Sequence, residues 1–373
     1  MTNLRAAAWL FGLLLAVSSP AQKLSPRPIL PLGHLIAGPS MTTARAGHTA
    51  TILPDFKVLI AGGADANGTV LASTEIYDPT QETFSRAANL TVPRQGHIAA
   101  VLSDGKILIA GGATAGPHHG TGLSSAEDYD LETGKFSPRG NMHARRVRAA
   151  VTTLRDGSPL VTGGTDGDHS LDSAETYSVL TGKWTLVGKM ASPRVSHTST
   201  LLQDGRVLIV GGVGKNHEVL ANAEIYDPKT KQFTAARSMH HPRYGHTAAL
   251  LTNGKVVVAG GSDYNQGGAL ASAEIYDPAT NSFTEIGNLA TARWRLPAAS
   301  ILLDGRAFVA GGAASAEVLD PIAGTFRTVE GGFDTARFEC ATVQLMDGSV
   351  RIFGGYDDKS GKATAKTWIY RLK

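Results

Sequence analysis

Short apolar runs separated by polar, glycine-rich text recur along this chain at a period near fifty residues. The unit is clearest at residues 47–84: an apolar run (GHTATILPDFKVLIAGG), a polar loop, then STEIYDPTQETF. The first run of each unit, such as HTAALLT at 246–252, is mostly apolar, as expected of a strand covered on both faces. An Asx-Gly pair follows in six units, from Asp104-Gly105 to Asp347-Gly348, and predicts a two-residue type I′ hairpin. The first unit departs, with Pro54-Asp55-Phe56. The second run, such as KILIA at 106–110, is apolar and stops at a double glycine. These pairs stand at Gly62-Gly63, Gly111-Gly112, Gly163-Gly164, Gly211-Gly212, Gly260-Gly261, Gly311-Gly312 and Gly354-Gly355, in steps of 43 to 52 residues. A third run carries a tyrosine seven positions before an aromatic: Tyr77 and Phe84, Tyr129 and Phe136, Tyr177 and Trp184, Tyr226 and Phe233, Tyr276 and Phe283, with Leu319 and Phe326 in the sixth unit. Asp-Pro-x-Thr text between them is turn chemistry. Each unit therefore reads as a four-stranded antiparallel meander. Seven such sheets set radially bury both faces and leave only short edges.

The last unit lacks a fourth strand. Residues 367–371 (TWIYR) place Tyr370 on the repeated tyrosine, and the missing text matches residues 35–41. The predicted fold is all-β: a seven-bladed β-propeller of four-stranded antiparallel blades, closed by an N-terminal strand that completes the C-terminal blade. The blades run approximately over 45–90, 94–142, 146–190, 194–239, 243–289, 293–332 and 337–373 plus 35–41. A six-bladed ring is the alternative.

The double glycine after an apolar strand, the tyrosine seven residues before an aromatic and the period resemble the kelch repeat. Over residues 35–373 the copies look like exported bacterial kelch proteins related to the propeller domain of galactose oxidase. The resemblance implies a seven-bladed propeller but no single activity, because kelch propellers include both enzymes and binding modules. It also implies what a copper radical oxidase would need: two tyrosines, two histidines and a thioether between tyrosine and cysteine. Cys340 is the sole cysteine and no Tyr-His dipeptide occurs, so no cofactor is expected.

Residues 1–21 read as a cleavable secretory signal, with Arg5 before an apolar run at 6–17 and small residues at Ser19-Pro20-Ala21. A secreted or periplasmic single domain over 22–373 is expected, with no membrane span after cleavage. Without Arg5 the chain carries 34 basic and 32 acidic residues. That balance is too even, and the charges too dispersed, for nucleic acid to be a partner. With one cysteine there is no intramolecular disulfide, and the chain is expected as a monomer.

An arginine opens every unit: Arg45, Arg94, Arg146, Arg194, Arg243, Arg293 and Arg337. A glutamate stands two positions before the third-strand tyrosine or leucine in six of them: Glu75, Glu127, Glu175, Glu224, Glu274 and Glu317. Features present in every blade belong to the scaffold, so these are expected to pair and lock the connection between blades. His48, His97, His197 and His246 recur three positions after the arginine and are expected as structural histidines, not metal ligands. Departures from the repeat carry more about function. Arg148, Tyr244, Trp294, Arg295, Phe338 and Glu339 break a pattern of small residues just after the arginine. The loops after the double glycines add His118, His119, Asp166, His169, Tyr264 and Tyr356. Blade six has almost no such loop, only 313–315, which predicts a notch in the rim. Aromatics beside arginines and carboxylates suit a protein or carbohydrate ligand on one face, with no catalytic set complete. The expected function is a non-enzymatic binding module. The alternatives are a carbohydrate-active enzyme (an oxidase, or an epimerase or lyase using Arg148, Arg295, Glu339 and nearby histidines) and a structural module of the cell envelope.

Overall fold

The structure is a computed structural model and describes residues 31–115, 122–295 and 298–372. The signal region, His118 and His119 lie outside the described residues. Seven antiparallel sheets form seven blades. In the first blade the strands are Thr49–Ile52, Val58–Ala61, Thr74–Asp78 and Thr83–Arg86, paired in sequence order. The innermost strand of each blade lies against those of its two neighbours, and the last lies against the first, so the cycle closes.

Burial falls off from the second strand in both directions. Every second strand, from Val58–Ala61 to Val350–Phe353, is buried at all four positions. The innermost strands are only half-buried, Thr49–Ile52 and Thr198–Leu201 throughout. This corrects the expectation of a first strand covered on both sides: one edge of it faces the open axis. Further out, the repeated tyrosine stands directly across from its aromatic, as in Tyr77 opposite Phe84 and Tyr177 opposite Trp184. The five tyrosine pairs hold their ring centroids 4.8–5.1 Å apart with the rings tilted by 38–54°, within the range of favourable aromatic contact distances.

The hairpin between first and second strands also differs from expectation. The N–H of Gly105 donates to the Leu102 carbonyl at 3.0 Å and that of Leu102 to the Lys106 carbonyl at 2.8 Å. Gly105 has φ +82°, whereas Asp104 keeps a negative φ. The loop therefore holds three residues: a type I turn followed by one left-handed residue, not a type I′ pair. Blade one makes the same turn, with Phe56 at φ +66° in the glycine's place.

The chain ends meet as the repeat predicts. His34–Ala37 pairs antiparallel with Thr367–Arg371, with Leu35 opposite Tyr370. The Tyr370 hydroxyl donates to the Leu32 carbonyl at 2.7 Å. A short strand the repeat does not announce, Glu330–Gly331, adds in parallel on the outside of His34–Ala37.

Candidate functional site at the mouth of the axis

The segment that opens each blade has three consecutive roles. The arginine turns inward and is buried, at 0–1% exposure in all seven copies. In six blades its Nη2 meets a glutamate Oε1 at 2.5–3.0 Å. Its Nη1 donates to the carbonyl of the first glycine of the pair at 2.7–3.2 Å. The same glutamate accepts backbone N–H groups from the connection just ahead of the arginine, as Glu75 does from Thr42 at 2.7 Å and Thr43 at 3.0 Å. The pair thus clamps the crossing between blades. Blade seven solves the problem differently, because Trp368 occupies the glutamate position. There Arg337 pairs with Asp334 and, at 2.8 Å, with Asp357, and stacks 5.2 Å from the Trp368 ring centre.

The next residue stands at the face of the disc, bridged to the strand after the double glycine, as in Ala46 with Ala64 and Tyr244 with Ser262. In blades five, six and seven that residue is Tyr244, Trp294 and Phe338, so three aromatics form an unbroken arc. Each has company. Tyr264 lies tilted against Tyr244 with ring centroids 4.9 Å apart, and Trp294 meets Phe338 edge-on at 6.1 Å.

The third residue is left-handed in every blade: Gly47, Gly96, Arg148, Ser196, Gly245, Arg295 and Glu339 have φ between +52° and +63°. The reason is a run of six backbone hydrogen bonds that follows the seven residues around the axis. Gly47 N–H donates to Glu339 O, Gly96 to Gly47, Arg148 to Gly96, Ser196 to Arg148, Gly245 to Ser196, and Glu339 to Arg295, at 2.9–3.3 Å. Glycine fits this conformation freely, while a side chain there costs about 1 kcal/mol or more. Arginine, glutamate and serine hold four of the seven places, and strain of this kind gathers at functional sites.

These residues enclose a bowl of about 480 Å³ at the mouth of the axis. Of the twelve residues singled out in the sequence, eight line it: Arg148, Tyr244, Trp294, Arg295, Phe338, Glu339, Tyr264 and Tyr356. Asp166 and His169 do not. Asp166 Oδ1 instead accepts the N–H groups of Asp168 and His169 at 2.9 and 2.8 Å, closing its own turn. The short blade-six loop contributes no lining residue, in keeping with the predicted notch. Asp357 and Asp358, offered by the loop after the last double glycine, also line the bowl, and Gln95 and Ser196 line it without having been singled out. The left-handed position itself was the available signal for Ser196, since glycine recurs there in other units.

Charge in the bowl is arranged across the axis. Arg148 of blade three reaches Glu339 of blade seven, Nη2 to Oε1, at 2.5 Å. Arg295 lies over Trp294 at 4.5 Å and 5.6 Å from Phe338, a double cation–π contact. Burial, with the Tyr264 hydrogen bond, pushes the Tyr244 phenol up to about 12. Burial first and the Glu339 carboxylate second raise that of Tyr356. Both phenols are donors at neutral pH.

Beneath the bowl, Arg148, Ser196 and Glu339 also roof an axial cavity of about 160 Å³, walled by His48, His97, His197 and Cys340. Burial followed by the neighbouring arginines drives the histidines down, His97 and His246 to about 3, so they are neutral. Nε2 of His97 meets Thr49 Oγ1 at 3.0 Å, that of His246 meets Thr198 at 2.9 Å, and that of His197 meets Thr162 at 2.8 Å. Burial lifts the Cys340 thiol to about 12. A centre of two tyrosines and two histidines is not assembled: the tyrosines line the outer bowl, the histidines the cavity below, and neither set enters the other's walls among the described residues. Nor do three or more His, Cys, Asp or Glu side chains cluster as a metal site among the described residues.

The sequence profile of the kelch motif matches residues 160–191, 194–240 and 242–290. No curated protein matches the sequence. Among solved structures, a fungal alcohol oxidase of the AA5 family in complex with copper superposes with a TM-score of 0.72, covering 91% of this chain and 76% of its own. The two are 16% identical, so the likeness is one of fold.

Proposed function

We propose that this chain, a seven-bladed propeller carrying kelch motifs, is an exported, non-enzymatic binding module that takes a protein or carbohydrate partner in the bowl at the mouth of its axis. One observation carries the reading. At the position where the backbone ring favours glycine, four blades hold side chains, three of them charged, and an arc of three aromatics stands beside them. The scaffold needs neither feature, since other blades close with alanine, valine and glycine at the same places. Aromatic faces ringed by polar groups are how recognition sites combine apolar area with direction. The test is binding to a glycan array and capture of partners from the periplasmic or secreted fraction, wild type against Trp294→Ala. Loss of binding by a normally melting variant supports the bowl, whereas undiminished binding removes it as the site.

An enzyme acting on a carbohydrate is the second reading, favoured by Glu339 sharing the bowl with two arginines and two high-pKa phenols. Turnover of a bound glycan that disappears in Glu339→Gln would put this reading first.

A further inference from the structure

We infer that the ligand of the bowl is an acidic glycan and that Arg295 receives the carboxylate of a uronic-acid residue; the inference rests on the binding reading above. The two guanidiniums of the bowl are not equivalent. Arg148 already holds the Glu339 carboxylate at 2.5 Å. Arg295 makes no ion pair among the described residues. Its guanidinium carbon lies over the Trp294 ring at 4.5 Å, with the Phe338 ring beside it at 5.6 Å. A stacked guanidinium keeps its in-plane N–H groups, and those form a planar fork matched to a carboxylate. The two aspartates nearby do not quench it. Asp357 is held by Arg337 at 2.8 Å and by the Thr335 hydroxyl at 2.8 Å. Asp358 is exposed and forms no ion pair among the described residues.

The backbone adds an independent reason. Arg295 sits at φ +57°, where the blade before it has Gly245 at the same angle. A long cation held in a strained conformation, stacked and without a counter-ion, is poised for an anion that arrives from outside. The rest of the lining selects a sugar over a peptide. Besides Arg148 and the carboxylates of Glu339, Asp357 and Asp358, it contains aromatic rings, phenol hydroxyls, an amide and a serine, but no aliphatic side chain among the described residues. Such a wall offers ring faces to sugar C–H groups and polar atoms to hydroxyls, and it lacks the aliphatic pocket that anchors an apolar residue of a protein partner. The bowl's 480 Å³ suits a small ligand.

The experiment is calorimetric titration of the full chain with trimers of galacturonate, glucuronate and mannuronate, each beside its neutral parent and a sulfated counterpart. The expected result is binding of at least one uronate about tenfold or more tighter than its neutral parent, since a hydrogen bond to a charged group contributes that much or more. Arg295→Gln should erase the preference for the acid and keep the melting temperature, because the side chain is exposed; Arg295→Lys should restore part of it. Equal affinity for acid and neutral trimers overturns the inference but leaves the bowl as a binding site. So does a preference that survives in Arg295→Gln, or a sulfated trimer preferred over the uronate. If no trimer binds, the inference falls, and partner capture that ignores Trp294→Ala would separately remove the bowl.

Discussion

Ser196 isolates what the ring of left-handed residues costs. It is the smallest non-glycine occupant, its N–H and C=O serve the ring, and its φ is +56°. Ser196→Gly relieves the Cβ conflict but gives the unfolded chain more freedom, so a net gain of about 0.5–1 kcal/mol is expected in urea unfolding. A loss of stability would mean that the conformation carries no strain. Arg148, Arg295 and Glu339 were visible in the sequence as interruptions of a glycine pattern. Their convergence was not, because it depends on the radius of the backbone ring and on side chains reaching across the axis. Asp166 and His169 looked equally promising in the text, and local turn bonding absorbs them.

The blade is held by a charged pair that no solvent reaches. Arg194 and Glu224 lie 2.7 Å apart with side chains 0% and 4% exposed. Arg194→Ala removes the cation, leaves Glu224 buried without it and strips the Gly211 and Asn222 carbonyls of a donor. A loss of about 3–5 kcal/mol is expected in chemical denaturation; unchanged stability would deny the clamp its role. Six of these pairs were legible because both members recur at fixed spacing in each copy. The seventh was hidden, since Trp368 replaces the glutamate and Arg337 draws on Asp334 and Asp357, from loops the repeat does not align. The hairpins were misread for a related reason. Asp-Gly is common to two turn types, and only Phe56, left-handed in blade one, betrays the single position that needs a positive φ.

Across the whole ring, the buried histidines set the response to acid. In the folded protein His97 and His246 titrate near 3, and His48 and His197 also lie well below the free value of 6.5. The unfolded chain therefore binds protons that the native chain refuses. Stability is complete above about pH 6.5 and falls as pH drops toward 3, by about 1.4 kcal/mol per pH unit for each such histidine. Glu175 and Glu274 act in the same sense. Burial alone would raise them, but N–H groups and their arginines outweigh it and hold both below the usual carboxylate range. Melting temperatures recorded from pH 7.5 to 4 should fall steadily, and less steeply in His97→Gln; a flat profile would contradict the assignment. The disc itself was readable because sevenfold recurrence leaves few ways to bury so many short strands. The strand His34–Ala37 has a consequence for how the molecule is made. It leaves the ribosome among the first segments of the propeller, yet its partner Thr367–Arg371 is among the last. Until synthesis is nearly finished, six blades can form while the first and last stay unjoined, each offering a bare edge to any neighbouring chain. Without Thr367–Arg371 the inner strands of the last blade would remain, but His34–Ala37 would be left with a bare edge, adhesive to other chains.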